Sequence, residues 1–334
     1  MNYIGSKLKL IDFIKSNVYE IVGKDLSNLI FCDLFAGTGI VGRSFKSEVK
    51  QIISNDLEYF SFVLNKNYIE NCTEIAEKDY FIEKLNSLPL LENGIIFNNY
   101  CMGSGSARQY FSDFNGKKID TIRIAIEQYK NKNLVDEKMY FFLLASLLES
   151  ADKVANTASV YGAFLKHLKK TAQKEMKYEG ANFSLSGNRH LVYNCDSNEL
   201  IKKISGDIVY LDPPYNSRHY GSNYHILNTI ALYDSFEPVG KTGLRQYKKS
   251  NYCSKQKVLE SFEELIKNAN FKFIFLSYNN EGLMKKEEIE QIMRNYGKYI
   301  LKNQNYSRFK ADKDKNRNHK ALSTNEFLHI LIKK

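Results

Sequence analysis

The sequence predicts an α/β fold, an open and largely parallel sheet interrupted by a mainly helical insertion. Three observations carry that expectation. A glycine-rich turn at 36–42 joins one strand-like segment to a helix and a second strand; β signals fade over 71–189; and strand-like segments alternating with helical ones return after 190.

In chain order, Leu8, Ile11, Ile14, Val18 and Ile21 recur at helical spacing, so an amphipathic helix comes first. "LIFCDLF" (29–35) is a buried-strand pattern, "AGTGIVG" (36–42) a turn entering a helix, and "QIISND" (51–56) a second strand, followed by a helix over 57–69. Residues 71–189 hold charged helical stretches and the glycine and serine run "CMGSGSARQYF". Strands resume with "HLVYNC" (190–195), "DIVYLD" (207–212), "FKFIFLSY" (271–278) and "EFLHILIK" (326–333), with helices near 223–234, 256–268 and 285–295. The expected organisation is one domain of 1–70 and 190–334 around an insertion of 71–189. The polar and charged run "RFKADKDKNRNHK" (308–320) reads as a mobile surface loop.

The 334 residues suffice for a sizeable core, and 43% hydrophobic, 26% charged and four prolines describe a chain that mostly folds. The 48 Lys and Arg against 38 Asp and Glu leave a net charge of +10, which suits a polyanionic partner such as nucleic acid or an anionic surface. The longest apolar run, "FFLLASLL" (141–148), is far below the ~20 residues that span a bilayer, so no membrane role is expected. The opening residues do not resemble a secretory signal, and five scattered cysteines without a C-x-x-C pair suit a reducing cytoplasm.

Two motifs carry chemistry. "GTGIVG" places Gly37, Gly39 and Gly42 between a strand and a helix, and Asp56 closes the next strand, where an acid can accept hydrogen bonds from ribose hydroxyls. The pattern serves a dinucleotide or S-adenosylmethionine equally. "DIVYLDPPYNSRHY" (207–220) runs a buried strand straight into Asp212, Pro213, Pro214 and Tyr215. The prolines remove two N–H donors and keep their carbonyls, so the loop is stiff and rich in acceptors. Such a loop suits a planar base with an exocyclic amine. Asp212 and the Pro213 carbonyl can each accept one N–H, and Tyr215 can stack on the ring.

"DPPY" (212–215), "DLFAGTG" (33–39) and the opening "NYIGSK" (2–7) together resemble the amino-group DNA methyltransferases, specifically the adenine-specific enzymes whose cofactor motif precedes the catalytic motif. The resemblance spans nearly the whole chain. It implies a class I S-adenosylmethionine-dependent methyltransferase fold with a seven-stranded, Rossmann-like sheet, a flipped adenine in double-stranded DNA as acceptor, and target recognition within 71–189. It further implies that Tyr3 and Lys7 contact the methionine part of the cofactor, that Asp33, Phe35, Gly37 and Gly39 line it, and that Asp56 holds its ribose. Asp196 would bind its adenine, although Asp196 followed by Glu199 also fits a helix capping box. Transfer would run directly from sulfonium to nitrogen without a metal. A restriction-modification role would pair the enzyme with a cognate restriction endonuclease.

The stretches 166–177, 241–257 and 302–320 concentrate positive charge, and the middle one interleaves Tyr247 and Tyr252, as phosphate contact with occasional stacking would require. Arg218, His219 and Tyr220 follow the catalytic motif and can close over a flipped base. Cytosine ring methylation is rejected, because no cysteine stands in a proline-flanked loop and Cys32 lies inside a strand. The alternatives kept open are methylation of the cytosine amino group or of RNA, a nicotinamide-dependent oxidoreductase, and an inactive nucleic-acid-binding module.

Overall fold

A computed structural model describes residues 3–307 and 323–334; the basic run 308–320 lies outside them. The chain forms two compact units. The first takes in 66–185 and 220–247 with the N-terminal residues through Ile4, and the second holds Gly5–Asn65, Ser186–His219 and Lys248–Lys334.

The second unit carries a seven-stranded sheet: β1 (Ile30–Asp33), β2 (Gln51–Asn55), β3 (Leu191–Tyr193), β4 (Ser205–Leu211), β5 (Asn270–Asn279), β6 (Gly297–Ser307) and β7 (Ser323–Lys333). Their order is β3-β2-β1-β4-β5-β7-β6. The first five are parallel neighbours, while β7 runs antiparallel to β5 and β6. Ile208, Val209, Tyr210 and Leu211 of β4 are all buried, as a central parallel strand covered on both faces requires. Helices Val258–Asn268 and Lys286–Arg294 each turn an apolar stripe into this core, Val258, Phe262, Leu265 and Ile266 from one and Ile289, Ile292 and Met293 from the other.

Strand β6 has no clear signature in the sequence. Only Tyr299, Ile300 and Leu301 of "GKYILKNQNYS" read as a strand, and the polar remainder suits an edge strand, which is blunted by charge.

The first unit is helical, with Lys78–Asn86, Ile95–Tyr100, Asp113–Asn131, Glu137–Val154 and His225–Leu232 as its main helices. Ser112 and Asp136 cap the two long ones, each side chain accepting an N–H of the first turn. Residues 220–247, expected from the sequence in the sheet domain, belong here for a physical reason. The Arg123 guanidinium donates to the Ile230 and Ala231 carbonyls at the end of helix His225–Leu232 (3.0 and 3.2 Å). Tyr233 donates to Asp120 (2.6 Å), Arg108 donates to the Gly240 carbonyl (3.1 Å), and Tyr100 donates to the Gly243 carbonyl (2.7 Å). No described helix is long and apolar enough to cross a membrane.

Candidate active site

The strand order reverses between β1 and β4, and in open α/β sheets ligands bind beyond the carboxyl ends of the strands at such a point. Asp33 ends β1, paired in register with Tyr210, and Asp212 follows the last residue of β4. Two carboxylates from adjacent strands therefore stand at one rim.

After β1 the backbone enters the left-handed region at Gly37 (φ 53°) and Gly39 (φ 74°), a conformation that strains any residue with a Cβ. Asp33 ties the turn from below: its Oδ2 accepts the Gly42 N–H at 2.9 Å, while its buried Oδ1 has no donor among the described residues. Burial pushes its carboxyl up to about 7, the Gly42 N–H opposing and the charges of Asp212 and Asp56 adding. Asp56 accepts the Gly37 N–H (2.7 Å) and the Glu58 N–H (2.9 Å), and burial raises it to about 6 against those bonds. Asn65, which no sequence motif singles out, donates to the Gly37 carbonyl (2.9 Å) and accepts from Ser54 (2.9 Å), bracing the turn from its other side.

Phe35 is half-buried with its ring edge-on to Tyr252, centroids 5.0 Å apart. Asp196 caps helix Ser197–Ile201, accepting from the N–H groups of Asn198 (2.9 Å) and Glu199 (3.3 Å). Tyr3 belongs to the helical unit and stacks on Tyr224 (4.9 Å) and Tyr220 (5.4 Å).

A cluster of ion pairs and hydrogen bonds lies after β4. The Lys7 ammonium, 4% exposed, meets Asp212 Oδ1 at 2.9 Å and Glu326 Oε1 at 3.3 Å, and donates to the Tyr215 hydroxyl and the Gly5 carbonyl. The same ammonium is 4.7 Å from the centroid of the Tyr215 ring, beyond its hydroxyl end. The Tyr215 hydroxyl reaches Asp212 Oδ1 (2.7 Å) and Glu326 Oε1 (2.9 Å), and its ring meets Tyr278 edge-on at 5.0 Å. Both contacts to Asp212 fall on Oδ1, leaving Oδ2 with no protein donor among the described residues. Pro213 is buried and Pro214 half-buried, and the Tyr215 carbonyl accepts the Leu283 N–H at 3.0 Å, holding the loop to the turn after β5.

Burial works to lower Lys7, yet the two carboxylates facing it raise it; burial likewise raises Asp212, with Lys7 opposing and Glu326 adding. One ammonium thus serves a buried carboxylate, Glu326, and a half-buried one, Asp212. Glu326 is a residue the sequence motifs do not reach. Its one sequence signal is a carboxylate at the inward position of "EFLHI", where Leu328 and Ile330 share its face.

The basic stretch 241–257 is only partly a surface. Lys241, Lys248, Lys249, Lys255 and Lys257 are exposed, but Arg245 is buried against Asp234 (2.8 Å) and Tyr252 is 4% exposed with its hydroxyl on Asn198 (2.9 Å). Tyr252 is a core residue, not a stacking platform. Arg218 is exposed, and its carbonyl and His219 Nδ1 accept from Cys253 and Ser250. Cys32 is fully buried within β1. No group of His, Cys, Asp and Glu able to hold a metal occurs among the described residues.

A family model described as D12 class N6 adenine-specific DNA methyltransferase matches residues 3–292. Among curated relatives, the chain is 60% identical over 333 residues to the type II methyltransferase M.NlaIII of Neisseria lactamica, covering 100% of this chain and 99% of that one. It is 39% identical to the type II methyltransferase M.CviAII of Paramecium bursaria Chlorella virus 1, covering 93% of each. It is 42% identical to the type II methyltransferase M.FokI of Planomicrobium okeanokoites over 89% of this chain, which spans 47% of that longer protein.

Proposed function

The chain belongs to the D12 class of N6 adenine-specific DNA methyltransferases, and on that premise we propose that it uses S-adenosylmethionine to methylate a flipped adenine, alongside a cognate restriction endonuclease. The observation that carries the reading is the pairing at one rim of Asp33, whose buried Oδ1 has no donor among the described residues, with Asp212, whose Oδ2 likewise has none among them.

S-adenosylmethionine, when bound, supplies an electrophilic methyl group on a sulfonium. The residues present fit it. The unpaired Asp33 oxygen suits the ammonium of its methionine part, and the left-handed glycines let the backbone come close to a ligand. Asp56 and Asp196 retain carboxylate lone pairs for ribose hydroxyls and the adenine amine, and Phe35 offers a half-buried ring. The roles of Tyr3 and Lys7 toward the donor rest on the opening motif alone.

On the acceptor side, Asp212 Oδ2 and the Pro213 carbonyl each take one N–H of the adenine amine. That arrangement turns the nitrogen lone pair out of conjugation, and the Asp212 carboxylate stabilises the positive charge that develops on it. A face of the Tyr215 ring stacks on the base. Flipping costs a few kcal/mol, and the remaining contribution of the chain is orientation.

The test is incubation with isotopically labelled S-adenosylmethionine and unmethylated DNA, followed by mass spectrometry of the nucleosides. Label in N6-methyladenine supports the reading. Label in N4-methylcytosine, or in RNA alone, would overturn it.

A further inference from the structure

We propose that Glu326 is a positioning residue for methyl transfer, a second acceptor that draws the Tyr215 hydroxyl proton and part of the Lys7 charge away from Asp212. The proposal rests on the reading of Asp212 as the acceptor of the adenine amine.

Protons are scarce in the cluster. The Tyr215 hydroxyl stands 2.7 Å from Asp212 Oδ1 and 2.9 Å from Glu326 Oε1, yet it carries one hydrogen. If Asp212 alone faced Tyr215, that hydrogen and the Lys7 ammonium would both settle on its carboxylate and lower its power to accept from a substrate. Glu326 gives the hydrogen a second site.

Charge points the same way. Lys7 faces two carboxylates, Asp212 at 2.9 Å and Glu326 at 3.3 Å, with Lys7 4%, Glu326 6% and Asp212 19% exposed. With both acids ionised the cluster carries one surplus negative charge in a setting of low polarisability. Such a site is complementary to a cation, and the amine nitrogen becomes cationic as its bond to carbon forms.

The fold gives Glu326 no other evident task. It lies in β7 opposite Asn279 of β5 and Gln304 of β6, on the face shared by Leu328 and Ile330. An apolar residue there would continue the stripe. A buried carboxylate is tolerated only where it is paired, and the side chains that pair with this one are Lys7 and Tyr215.

The experiment compares Glu326→Ala, Glu326→Gln and Asp212→Ala in the full chain. It reads kcat and KM on DNA, thermal melting, and the fluorescence of 2-aminopurine at the target position as a report of flipping. Glu326→Ala is expected to lower kcat roughly a hundredfold, with KM for DNA and the flipping signal within about twofold of the parent. Glu326→Gln keeps an acceptor for Tyr215 and should recover much of that loss.

If Glu326→Ala turns over within twofold of the parent, the assignment fails. It fails equally if both Glu326 variants lose melting temperature and flipping along with kcat, since Glu326 would then be structural only. Should Asp212→Ala keep near-normal turnover, the reading of the acceptor site itself falls, and that outcome is distinct from the other two.

Discussion

Replacing Lys7 by methionine should destabilise the sheet unit in a pH-dependent manner. The ammonium is 4% exposed and stands between Asp212, 19% exposed, and Glu326, 6% exposed. Methionine fills much of the same space and removes the charge. Two carboxylates then share a buried site without a cation, and removing one partner of a buried ion pair costs about 3–5 kcal/mol. For a domain of this size 1 kcal/mol corresponds to roughly 2–4 °C, so the loss at alkaline pH is about 6–20 °C in melting temperature.

The sign follows from the carboxyls. Burial raises Asp212, with Lys7 opposing and Glu326 adding, so without Lys7 its folded pKa lies further above the unfolded value; Asp212 is tolerated while protonated and becomes costly as pH rises through the folded value. The deficit relative to the parent should therefore be small near pH 4.5 and grow toward pH 8. Circular dichroism melts of parent and Lys7→Met across that range measure it. An equal deficit at both ends, or none at pH 8, would refute the claim that this ammonium neutralises the pair.

Asp212→Ala and Tyr215→Ala should each reduce transfer by on the order of a hundredfold or more while leaving S-adenosylmethionine affinity, read by calorimetry, within a few-fold. Gly39→Val should abolish donor binding in the same assay, because a β-branched residue at φ 74° adds strain of at least about 1–2 kcal/mol to the turn. Asp33, held up to about 7 by burial with Asp212 and Asp56 nearby, must ionise to meet an ammonium. Donor binding should accordingly strengthen between pH 6 and 8 with proton release, seen as a buffer-dependent binding enthalpy that Asp33→Asn removes. Alanine at exposed Lys248 and Lys249 should weaken DNA binding across sequences and reduce the salt slope by roughly one for each phosphate no longer neutralised, whereas Arg245, paired with Asp234, should chiefly affect stability.

What was legible in the sequence depended on how local its cause was. β1 and β4 are short apolar runs ending at an acid, and the glycine turn sits between strand and helix, so Asp33, Gly37, Gly39 and Asp212 could be located from neighbours alone. Asp196 was open between two roles, and its capping bonds now account for one of them. Glu326 was hidden because its partners come from the start of the chain and from the loop after β4. Tyr252 misled because lysines around an aromatic resemble an exposed strip, while its hydroxyl satisfies Asn198 in the core. The boundary at 220–247 was missed for a similar reason: Arg123 and Asp120, which anchor that segment, lie far away in sequence and look like ordinary helix charges.

The placement of β7 between β5 and β6 also bears on how the Lys7 cluster is put together. Lys7, Asp212 and Tyr215 all precede β6 in sequence, whereas the strand that brings Glu326 to them follows β6 and inserts back beside β5. The cluster gains its second carboxylate only when β7 enters the sheet, so the antiparallel insertion that closes the sheet is also what completes the charge balance around Lys7.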